Sequence, residues 1–441
     1  MRTYIKDLKN KIGEEVQISG WVNIRRDHGK VIFVDFRDST GVVQMVVLPN
    51  HEEAHQLAEK IRPEWVLEIK GKVNSRPEKM VNKDEDNGSL EIEVLAIDVI
   101  SEVKDLPFEK GTKLNLDTYL DYLPLTLRIK EKKAIFKVQA CIVQAFRDFL
   151  IKEDFIEIQT PKIIGADAEG GAGVFEVDYF GEKAYLATSP QFYKQIMVGV
   201  FEKVFMVGNA FRAEKHSTSR HLNEYTSLDF EFGFIKDHHD IMNLENKLLI
   251  FVANELKNKC QKEFDLLEAK IPNVPTEIPF MKLKEAQEII KKEFGDDCIG
   301  EPDLEPQHER QLCEYAQKKY QSDFIFITHY PVEKRPMYTF EDQKDKGFTK
   351  SFDLLFRGVE ITTGGQRIHN YEDLVRGIKK KSLDPKKFSF YLQAFKYGMP
   401  THGGIGMGLE RLTAKFLGIN NIKEATLFPR EINRIDTLLN K

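Results

Sequence analysis

Five segments rich in β-branched residues lie between residues 14 and 101, and one helical segment interrupts them. Strands are predicted in EEVQISGWVNIRR, KVIFVDFRD and VVQMVVL, a helix in HEEAHQLAEKI, and two more strands in WVLEIKGKVNS and SLEIEVLAIDVIS. Three strands, a helix and two strands is the order of a five-stranded OB-fold barrel, which often binds single-stranded nucleic acid on one face. A small β barrel without such a partner has the same pattern, so the function of residues 1–101 stays open at this point.

Residues 102–128 are predicted to be a linker, because Pro107, Gly111 and Pro124 interrupt any regular pattern. Residues 129–441 then form the predicted second domain. It begins with an amphipathic helix, whose apolar face comprises Ile135, Val138, Ile142, Val143, Phe146 and Leu150. The helix leads into FIEIQTPKII, a strand that Pro161 interrupts.

The rest of the second domain contains long strands that follow one another closely, in AYLAT, KVFMVGNAF, EYTSLDFEFGF and SFDLLFRGVEI. Consecutive strands favour an antiparallel sheet, because parallel neighbours need helical crossovers. We therefore predict an α+β fold with helices flanking an antiparallel sheet. The sequence has neither a GxxxxGK[ST] loop nor a GxGxxG turn, so the usual phosphate-binding loops are absent from it. Residues 265–330 carry no motif that we can interpret.

Composition excludes several protein classes. The apolar runs are too short and too charged to span a bilayer, and the N-terminal residues do not resemble a secretory signal. The four cysteines form no CxxC pair, which argues against structural zinc and a disulfide framework and predicts a cytoplasmic protein. The net charge of −5 does not exclude a nucleic-acid partner, because local basic patches govern that interaction.

The segment FRAEKHSTSRHLNEYTSLDFEF, residues 211–232, places charged groups between two apolar strands. Residues two apart on a strand share a face, so Arg212 is expected beside Glu214, and Asp229 beside Glu231. A buried arginine binds phosphate or carboxylate in a planar, bidentate manner. A salt-bridge ladder between the two strands would explain the same residues.

Two further segments carry candidate chemistry. In SFDLLFRGVEITTGGQRIHN, residues 351–370, Asp353 and Glu360 lie close to a glycine pair, which suits Mg²⁺ held by few protein oxygens. In GIGMGLERL, residues 404–412, three glycines precede a helix whose first turn contains Arg411. A cation there is disfavoured by the helix dipole unless an anion lies nearby. An exposed hairpin and a packed glycine-rich turn are the plainer explanations of these two segments.

Together and in this order, these segments resemble the class II aminoacyl-tRNA synthetases over nearly the whole chain. FIEIQTPKI is similar to their first motif, FRAE with its hairpin to the second, and GMGLERL to the third. The N-terminal barrel resembles that of the aspartate, asparagine and lysine subgroup. TSPQFYKQIM, SLDFEF and GGQRIHN resemble aspartyl-tRNA synthetases of the compact type, and GWVNIRRDHG and SRPEKMVN resemble bacterial anticodon-binding domains.

The resemblance implies that aspartate is activated by ATP as aspartyl-adenylate and transferred to tRNA(Asp). We favour tRNA(Asn) as a further acceptor, and an enzyme strictly specific for tRNA(Asp) is the alternative. It implies two catalytic arginines, Arg212 at the α-phosphate and Arg411 at the β- and γ-phosphates. Glu214 would accept from the adenine amine, and His221 would contact the β- and γ-phosphates. Mg²⁺ would be held by Asp353, Glu360 and Thr363, of which Glu360 is also counted with the ATP site.

For the amino acid, the resemblance implies that Lys194 and Arg367 meet the side-chain carboxylate and that Asp229 meets the ammonium group. Ser189 and Gln191 would lie nearby, and Glu169 would belong to a loop that closes over the aspartate. In the barrel, Phe33 would stack on an anticodon base, and Arg26 and Gln44 would contact base edges. Phe33 has a plainer interpretation as a residue of the barrel core.

His28 stands where relatives that charge both tRNAs often carry histidine and strictly tRNA(Asp)-specific relatives carry leucine. A histidine offers both a donor and an acceptor and so tolerates either pyrimidine of the third anticodon base. The plainer interpretation is that His28 is only a solvated loop residue.

The resemblance also implies a symmetric homodimer through the helix 132–152 and the strand that contains Pro161. An asparaginyl-tRNA synthetase would have the same fold and reaction, but the ammonium of Lys194 suits a carboxylate better than an amide. A relative that only binds RNA or protein is a second possible interpretation, and the candidate ATP and metal residues argue against it. An enzyme that makes free asparagine is a third, and the N-terminal barrel argues against that one.

Overall fold

The computed structural model describes residues 2–83, 85–109, 111–165 and 173–435, and the chain divides into two compact units, Met1–Lys113 and Leu114–Lys441. The division falls inside the predicted linker. The second half of that interval is not irregular, since helices α2 (Leu116–Asp121) and α3 (Leu123–Thr126) occupy it. Asn115 caps α2 by accepting a hydrogen bond from the Thr118 amide, and Pro124 is tolerated because it stands at the start of α3.

The first unit is a closed five-stranded barrel with the strand order β1-β2-β3-β5-β4, which confirms the predicted OB fold. Its core consists of the residues that alternate inward along each strand, such as Ile32, Val34 and Phe36 of β2. Two 3₁₀ helices, Ile5–Asn10 and Glu78–Met80, accompany the barrel. Its other elements are β1 (Glu15–Asp27), β2 (Ile32–Arg37), β3 (Val42–Val47), α1 (Glu52–Ala58), β4 (Val66–Ser75) and β5 (Leu90–Ser101).

The second unit is built on an eight-stranded sheet with the order β12-β13-β14-β15-β16-β11-β10-β6. Its six central strands pair antiparallel, as predicted, and a parallel pair lies at each end, β12 with β13 and β6 with β10. A separate three-stranded sheet has the order β7-β9-β8. The strands are β6 (Ile156–Glu157), β7 (Ile163–Ile164), β8 (Glu176–Tyr179), β9 (Glu182–Leu186), β10 (Lys203–Phe211), β11 (Glu224–Gly233), β12 (Phe280–Lys282), β13 (Phe324–Thr328), β14 (Ser351–Phe356), β15 (Val359–Gln366) and β16 (His402–Gly408).

Helices cover this sheet, and two 3₁₀ helices, Pro385–Phe388 and Ile422–Ala425, follow late in the chain. The α-helices are α4 (Lys130–Lys152), α5 (Gln191–Phe201), α6 (His238–Lys259), α7 (Gln261–Leu266), α8 (Leu283–Phe294), α9 (Pro306–Tyr320), α10 (Tyr371–Lys380), α11 (Ser389–Lys396) and α12 (Leu409–Phe416). In the described residues, no helix is both long and apolar enough to cross a lipid bilayer.

The apolar face of α4 is covered within the second unit, so the predicted homodimer interface does not use this face. Val138, Ile142, Phe146 and Leu150 are buried in the main core of the second unit, where they pack with α6, α7 and α12. The periodicity of α4 correctly indicates an amphipathic helix, but an apolar stripe does not reveal whether its partner lies in the same chain. Exposed apolar residues occur instead around the helix end and the broken strand, at Ile151, Ile156 and Ile163.

Candidate active site

A cavity of about 340 Å³ opens on the sheet of the second unit, between β11, β15 and β16 and the helices α5 and α12. Eleven of the predicted site residues line it: Ser189, Gln191, Lys194, Arg212, Glu214, His221, Asp229, Glu360, Thr363, Arg367 and Arg411. Asp353 is not among the lining residues, and the predicted loop residue Glu169 lies outside the described part of the chain. Residues separated by more than 200 positions therefore converge on one cavity, which we call the first cavity.

One end of the first cavity is a cluster of four buried charges. Lys194, from the first turn of α5, donates from Nζ to Oδ1 of Asp229 at 2.9 Å and to the carbonyl oxygen of Ile405 at 2.7 Å. Arg367, just beyond β15, donates from Nε to Oε1 of Glu231 at 2.9 Å. Burial alone would raise the pKa of Glu231, but Arg367 and Lys194 hold it below its ordinary value. The cluster is thus two cations facing two carboxylates, with no net charge.

Asp229 has bonding capacity left in this cluster. Its Oδ2 atom is buried and accepts no hydrogen bond in the structure, although Oδ1 is paired with Lys194. A buried carboxylate oxygen without a donor is costly, so a donor supplied by a ligand would be favoured there. An ammonium group is the donor that suits a carboxylate best. Gln191, beside it, is buried and donates to Oε1 of Gln195.

Glycines opposite the two acids make room for this arrangement. In the pairing of β11 with β16, Asp229 stands opposite Gly406 and Glu231 opposite Gly404. A Cβ atom at Gly404 would collide with the Phe230 carbonyl oxygen and with the Glu231 carboxylate. The glycines of the GIGMG segment therefore allow the backbone of β16 to approach buried acidic side chains.

The other end of the first cavity contains the residues predicted to bind the nucleotide. Strand β10 ends at Phe211, so Arg212 and Glu214 lie beyond it, and strand alternation does not place them as we predicted. Asn223 positions them instead: its Nδ2 donates to the carbonyl oxygens of Arg212 at 2.7 Å and of Glu214 at 3.0 Å. Tyr225, also in the lining, has its ring 5.6 Å from the Arg212 guanidinium carbon.

Arg411 is positioned by backbone oxygens at the same end. Its Nη1 donates to the Glu360 carbonyl oxygen at 3.0 Å and lies 3.8 Å from Oε2 of the same residue. His221 Nε2 lies 3.7 Å from Glu214 Oε2, and burial lowers the pKa of His221. The neutral imidazole is therefore favoured at neutral pH, with Nδ1 bonded to Thr218 at 2.7 Å.

The three residues predicted to hold a metal lie on adjacent strands. Asp353 of β14 stands opposite Thr363 of β15, and Thr363 donates to Oε1 of Glu360 at 2.9 Å. Oδ2 of Asp353 accepts from Arg335 at 2.7 Å, whereas its buried Oδ1 accepts no hydrogen bond. Burial raises the pKa of Asp353 to about 6, since the nearby Glu360 offsets part of the stabilisation by Arg335. An unpaired carboxylate oxygen beside a second carboxylate fits a hard divalent cation.

Sequence reasoning missed several residues of the site, among them Glu231, Arg335 and Glu309. Glu231 was noted on its strand but not assigned, although its alternation with Asp229 was a usable signal. Arg335, which binds Asp353, lies in a loop without a recognisable motif. Glu309 belongs to α9 in the segment without a motif, yet it binds Arg220 and accepts from the Glu360 amide at 3.2 Å. Only the fold brings α9 to the site.

The predicted anticodon residues share one outer face of the barrel. Phe33 points outward between the buried Ile32 and Val34, so it is not a core residue, and the ring of His28 lies 5.5 Å from it. Arg26 pairs with both oxygens of Asp35 at 2.7 Å, and its Nη2 lies 3.4 Å from Oε1 of Gln44. This face therefore combines a partly exposed ring, hydrogen-bonding groups and a cation, the combination that suits a single-stranded base.

Comparison with known proteins agrees with both units. Residues 115–432 match the family described as tRNA synthetases class II (D, K and N), and residues 16–100 match the OB-fold nucleic acid binding domain. The chain is 46% identical to the aspartate–tRNA(Asp/Asn) ligase of Thermus thermophilus, over 99% of this chain and 100% of that protein. It is 41% identical to the aspartate–tRNA(Asp) ligase of Picrophilus torridus, over 99% and 100% of the two chains.

Among solved structures, the chain resembles asparaginyl-tRNA synthetase from Pyrococcus horikoshii complexed with asparaginyl-adenylate. The TM-score is 0.91 and the identity is 30%, with 99% of both chains covered. The chain is therefore similar, over nearly its whole length, to proteins whose names specify different amino acids.

Proposed function

The chain belongs to the class II tRNA synthetases of the aspartate, lysine and asparagine group, and we propose that it attaches L-aspartate to tRNA(Asp) and also to tRNA(Asn). Enzymes of this class use ATP as a substrate. The aspartate α-carboxylate attacks the α-phosphorus of ATP, which forms aspartyl-adenylate and releases pyrophosphate. The 3′-terminal ribose hydroxyl of the tRNA then attacks the adenylate carbonyl carbon, and AMP leaves.

No protein nucleophile is needed in either step, so catalysis rests on positioning and on charge stabilisation. Arg212 stabilises the charge that develops on the α-phosphate, and Arg411 holds the departing phosphates. Glu214 accepts from the adenine amine. Tyr225, on the lining between these residues, offers an aromatic face to the adenine.

The observation that carries the choice of substrate is the pair of buried cations, Lys194 and Arg367, that Glu231 holds close to the unpaired Oδ2 of Asp229. Oδ2 accepts from the aspartate ammonium, and Lys194 and Arg367 attract its side-chain carboxylate. The side-chain amide of asparagine carries no charge, so Lys194 and Arg367 would attract it less than the aspartate carboxylate. The identity to the aspartate ligase of Thermus thermophilus, 46%, also exceeds the 30% to the asparaginyl enzyme.

Magnesium fits the site as a cofactor of the reaction. Asp353, Glu360 and Thr363 would hold it, since Asp353 Oδ1 and the Glu360 carboxylate are oxygen ligands that the ion prefers. When bound, Mg²⁺ would neutralise negative charge on the phosphates of ATP. Arg335 keeps Asp353 in place, and Thr363 does the same for Glu360.

Two further properties belong to the proposal. The enzyme is a homodimer, in which the exposed Ile156 and its neighbours on the edge strand β6 are covered by a second copy. The outer barrel face that contains His28, Phe33 and Gln44 reads the anticodon, with Phe33 stacked on a base.

ATP–pyrophosphate exchange with aspartate, asparagine and lysine as separate substrates tests the central proposal. We expect exchange with aspartate and a rate at least about a hundredfold lower with asparagine, because the neutral amide cannot replace the carboxylate in its charge-assisted hydrogen bonds to Lys194 and Arg367. Exchange that prefers asparagine would reject the aspartate assignment while leaving the family membership intact.

A further inference from the structure

A second cavity, of about 280 Å³, adjoins the first, and Arg220 and Arg411 belong to the lining of both. Its other lining residues include Ser219, Arg310, Arg357 and Lys415. They come from the loop before β11, from α9, from the turn between β14 and β15, and from α12. None of the roles that we assign to the site residues involves a ligand in this second cavity.

The lining of the second cavity is strongly cationic. It contains four arginines and one lysine and no acidic residue. Glu309 pairs with Arg220, and Asp323 pairs with Arg357, both from outside the lining. Within the described ranges, Arg310 and Lys415 form no ion pair. Burial lowers the pKa of Lys415, and the nearby Arg220 lowers it further, so an anion in this cavity would relieve both effects.

Arg220 also has unused donors where the two cavities meet. Its Nη2 is held by Glu309, whereas its Nε and Nη1 are buried and have no hydrogen-bond partner in the structure. Glu309 accepts from the Glu360 amide with the same oxygen, so Arg220 is fixed relative to the first cavity. Buried guanidinium donors without an acceptor are costly, and phosphate oxygens fit their geometry.

We infer that the second cavity is a binding site for inorganic pyrophosphate, occupied as this product leaves the first cavity. The identity of the anion rests on the proposed function, since adenylate formation breaks the bond between the α-phosphorus and its bridging oxygen and releases pyrophosphate. Arg411 and Arg220 line both cavities, so they can bind pyrophosphate in the first cavity and continue to bind it as it moves into the second. Arg310 and Lys415 supply the charges that are not already paired.

Direct calorimetric titration tests this site without requiring tRNA charging. The first cavity is filled with a non-hydrolysable aspartyl-adenylate analogue, and pyrophosphate is then titrated in a magnesium-free buffer. We expect one pyrophosphate to bind, and Lys415→Ala and Arg310→Ala each to weaken binding at least about tenfold, the usual loss for one charge-assisted hydrogen bond. Lys415→Arg should stay within about twofold, as should Lys386→Ala, a control at an exposed lysine.

The kinetic counterpart is a rise in the KM for pyrophosphate in the exchange reaction, with the KM for ATP unchanged. Arg310 is exposed, so Arg310→Ala keeps the test valid even where Lys415→Ala fails to fold. Unchanged pyrophosphate affinity in Arg310→Ala and in a folded Lys415→Ala would overturn the inference. Loss of tRNA affinity without loss of pyrophosphate affinity would also overturn it, by assigning the cavity to the tRNA backbone.

The titration of the analogue itself, performed first, separates this inference from the proposed function. Failure of the aspartyl-adenylate analogue to bind would count against the proposed function. Failure of pyrophosphate to bind, once the analogue is in place, would count only against the second site.

Discussion

Arg367, which lines the first cavity, donates from Nε to Oε1 of Glu231 across 2.9 Å, and both side chains are buried. Glu231 also lies 3.5 Å from the ammonium of Lys194. This acid therefore lies within ion-pair distance of both cations that we assign to the substrate carboxylate, and it fixes the guanidinium before any substrate arrives. Such preorganisation lowers the cost of binding, because the arginine need not be ordered at that moment.

Glu231→Gln should impair aspartate binding more than ATP binding. The substitution leaves a buried cation without its counter-charge, which typically destabilises a protein by about 3–5 kcal/mol. We expect the KM for aspartate in pyrophosphate exchange to rise at least about tenfold while the KM for ATP changes little. Glu224→Gln, on the same strand but partly exposed, is the control. Equal effects on both KM values would indicate general damage to the fold instead.

Arg212→Ala and Arg411→Ala should each abolish adenylate formation and preserve the fold. Loss of one charge contact to a developing transition state typically lowers the rate on the order of a hundredfold or more. Pyrophosphate exchange and circular dichroism measure the two properties. Arg376→Ala is the matched control, because its guanidinium is exposed and pairs with Asp373. Exchange within about twofold of wild type in either site variant would contradict its assignment.

His28→Leu should lower charging of tRNA(Asn) more than charging of tRNA(Asp). The two anticodons differ at their third base, and the exposed His28 lies beside Phe33, where a base would stack. Aspartylation of each purified tRNA by the same enzyme preparation measures this effect. A wild-type preference for tRNA(Asp) above about a hundredfold would reject the dual specificity. An equal effect of the substitution on both tRNAs would reject His28 as its cause.

Ile156→Asp should weaken the proposed homodimer. Ile156 is 45% exposed on β6, the edge strand of the eight-stranded sheet, and a charge there opposes burial by a second copy. Equilibrium sedimentation at micromolar concentration should give a dimer for the wild type and a dissociation constant at least about tenfold higher for the variant. Ile299→Asp, at a comparably exposed isoleucine after α8, should have no effect. A monomeric wild type would contradict the proposal.

Glu245→Gln should make the protein's stability less dependent on pH. Glu245 is fully buried on α6, and burial raises its pKa from 4.5 to about 8. Between these values the unfolded chain has lost the proton while the folded chain retains it, so stability falls as the pH rises. The slope is at most about 1.4 kcal/mol per pH unit.

Thermal unfolding at pH 5 and pH 8 measures this dependence. The melting temperature of Glu245→Gln minus that of the wild type should increase as the pH rises from 5 to 8. A constant difference between the two proteins across this range would show that Glu245 does not titrate in that window.

Local sequence patterns were sufficient to predict much of the fold of this protein. The alternation along β2 and the order of strands predicted the barrel, and close spacing of apolar runs predicted the antiparallel centre of the large sheet. The glycines of GIGMG and the acids of SLDFEF were recognisable because backbone approach and strand alternation depend on neighbouring residues. These properties act over a few positions, so the sequence by itself determined them.

Only the tertiary structure decided which residues the side chains in those patterns contact. The apolar stripe of α4 is buried in its own chain, although the same stripe would suit a second subunit. Glu309 acts on Arg220 and Glu360 across 89 and 51 positions, from a helix without a motif. The second cavity likewise exists only because α9, α12 and two loops bring five cations together. Long-range contacts arise from packing, and a burial pattern is equally compatible with many partners until the whole chain has folded.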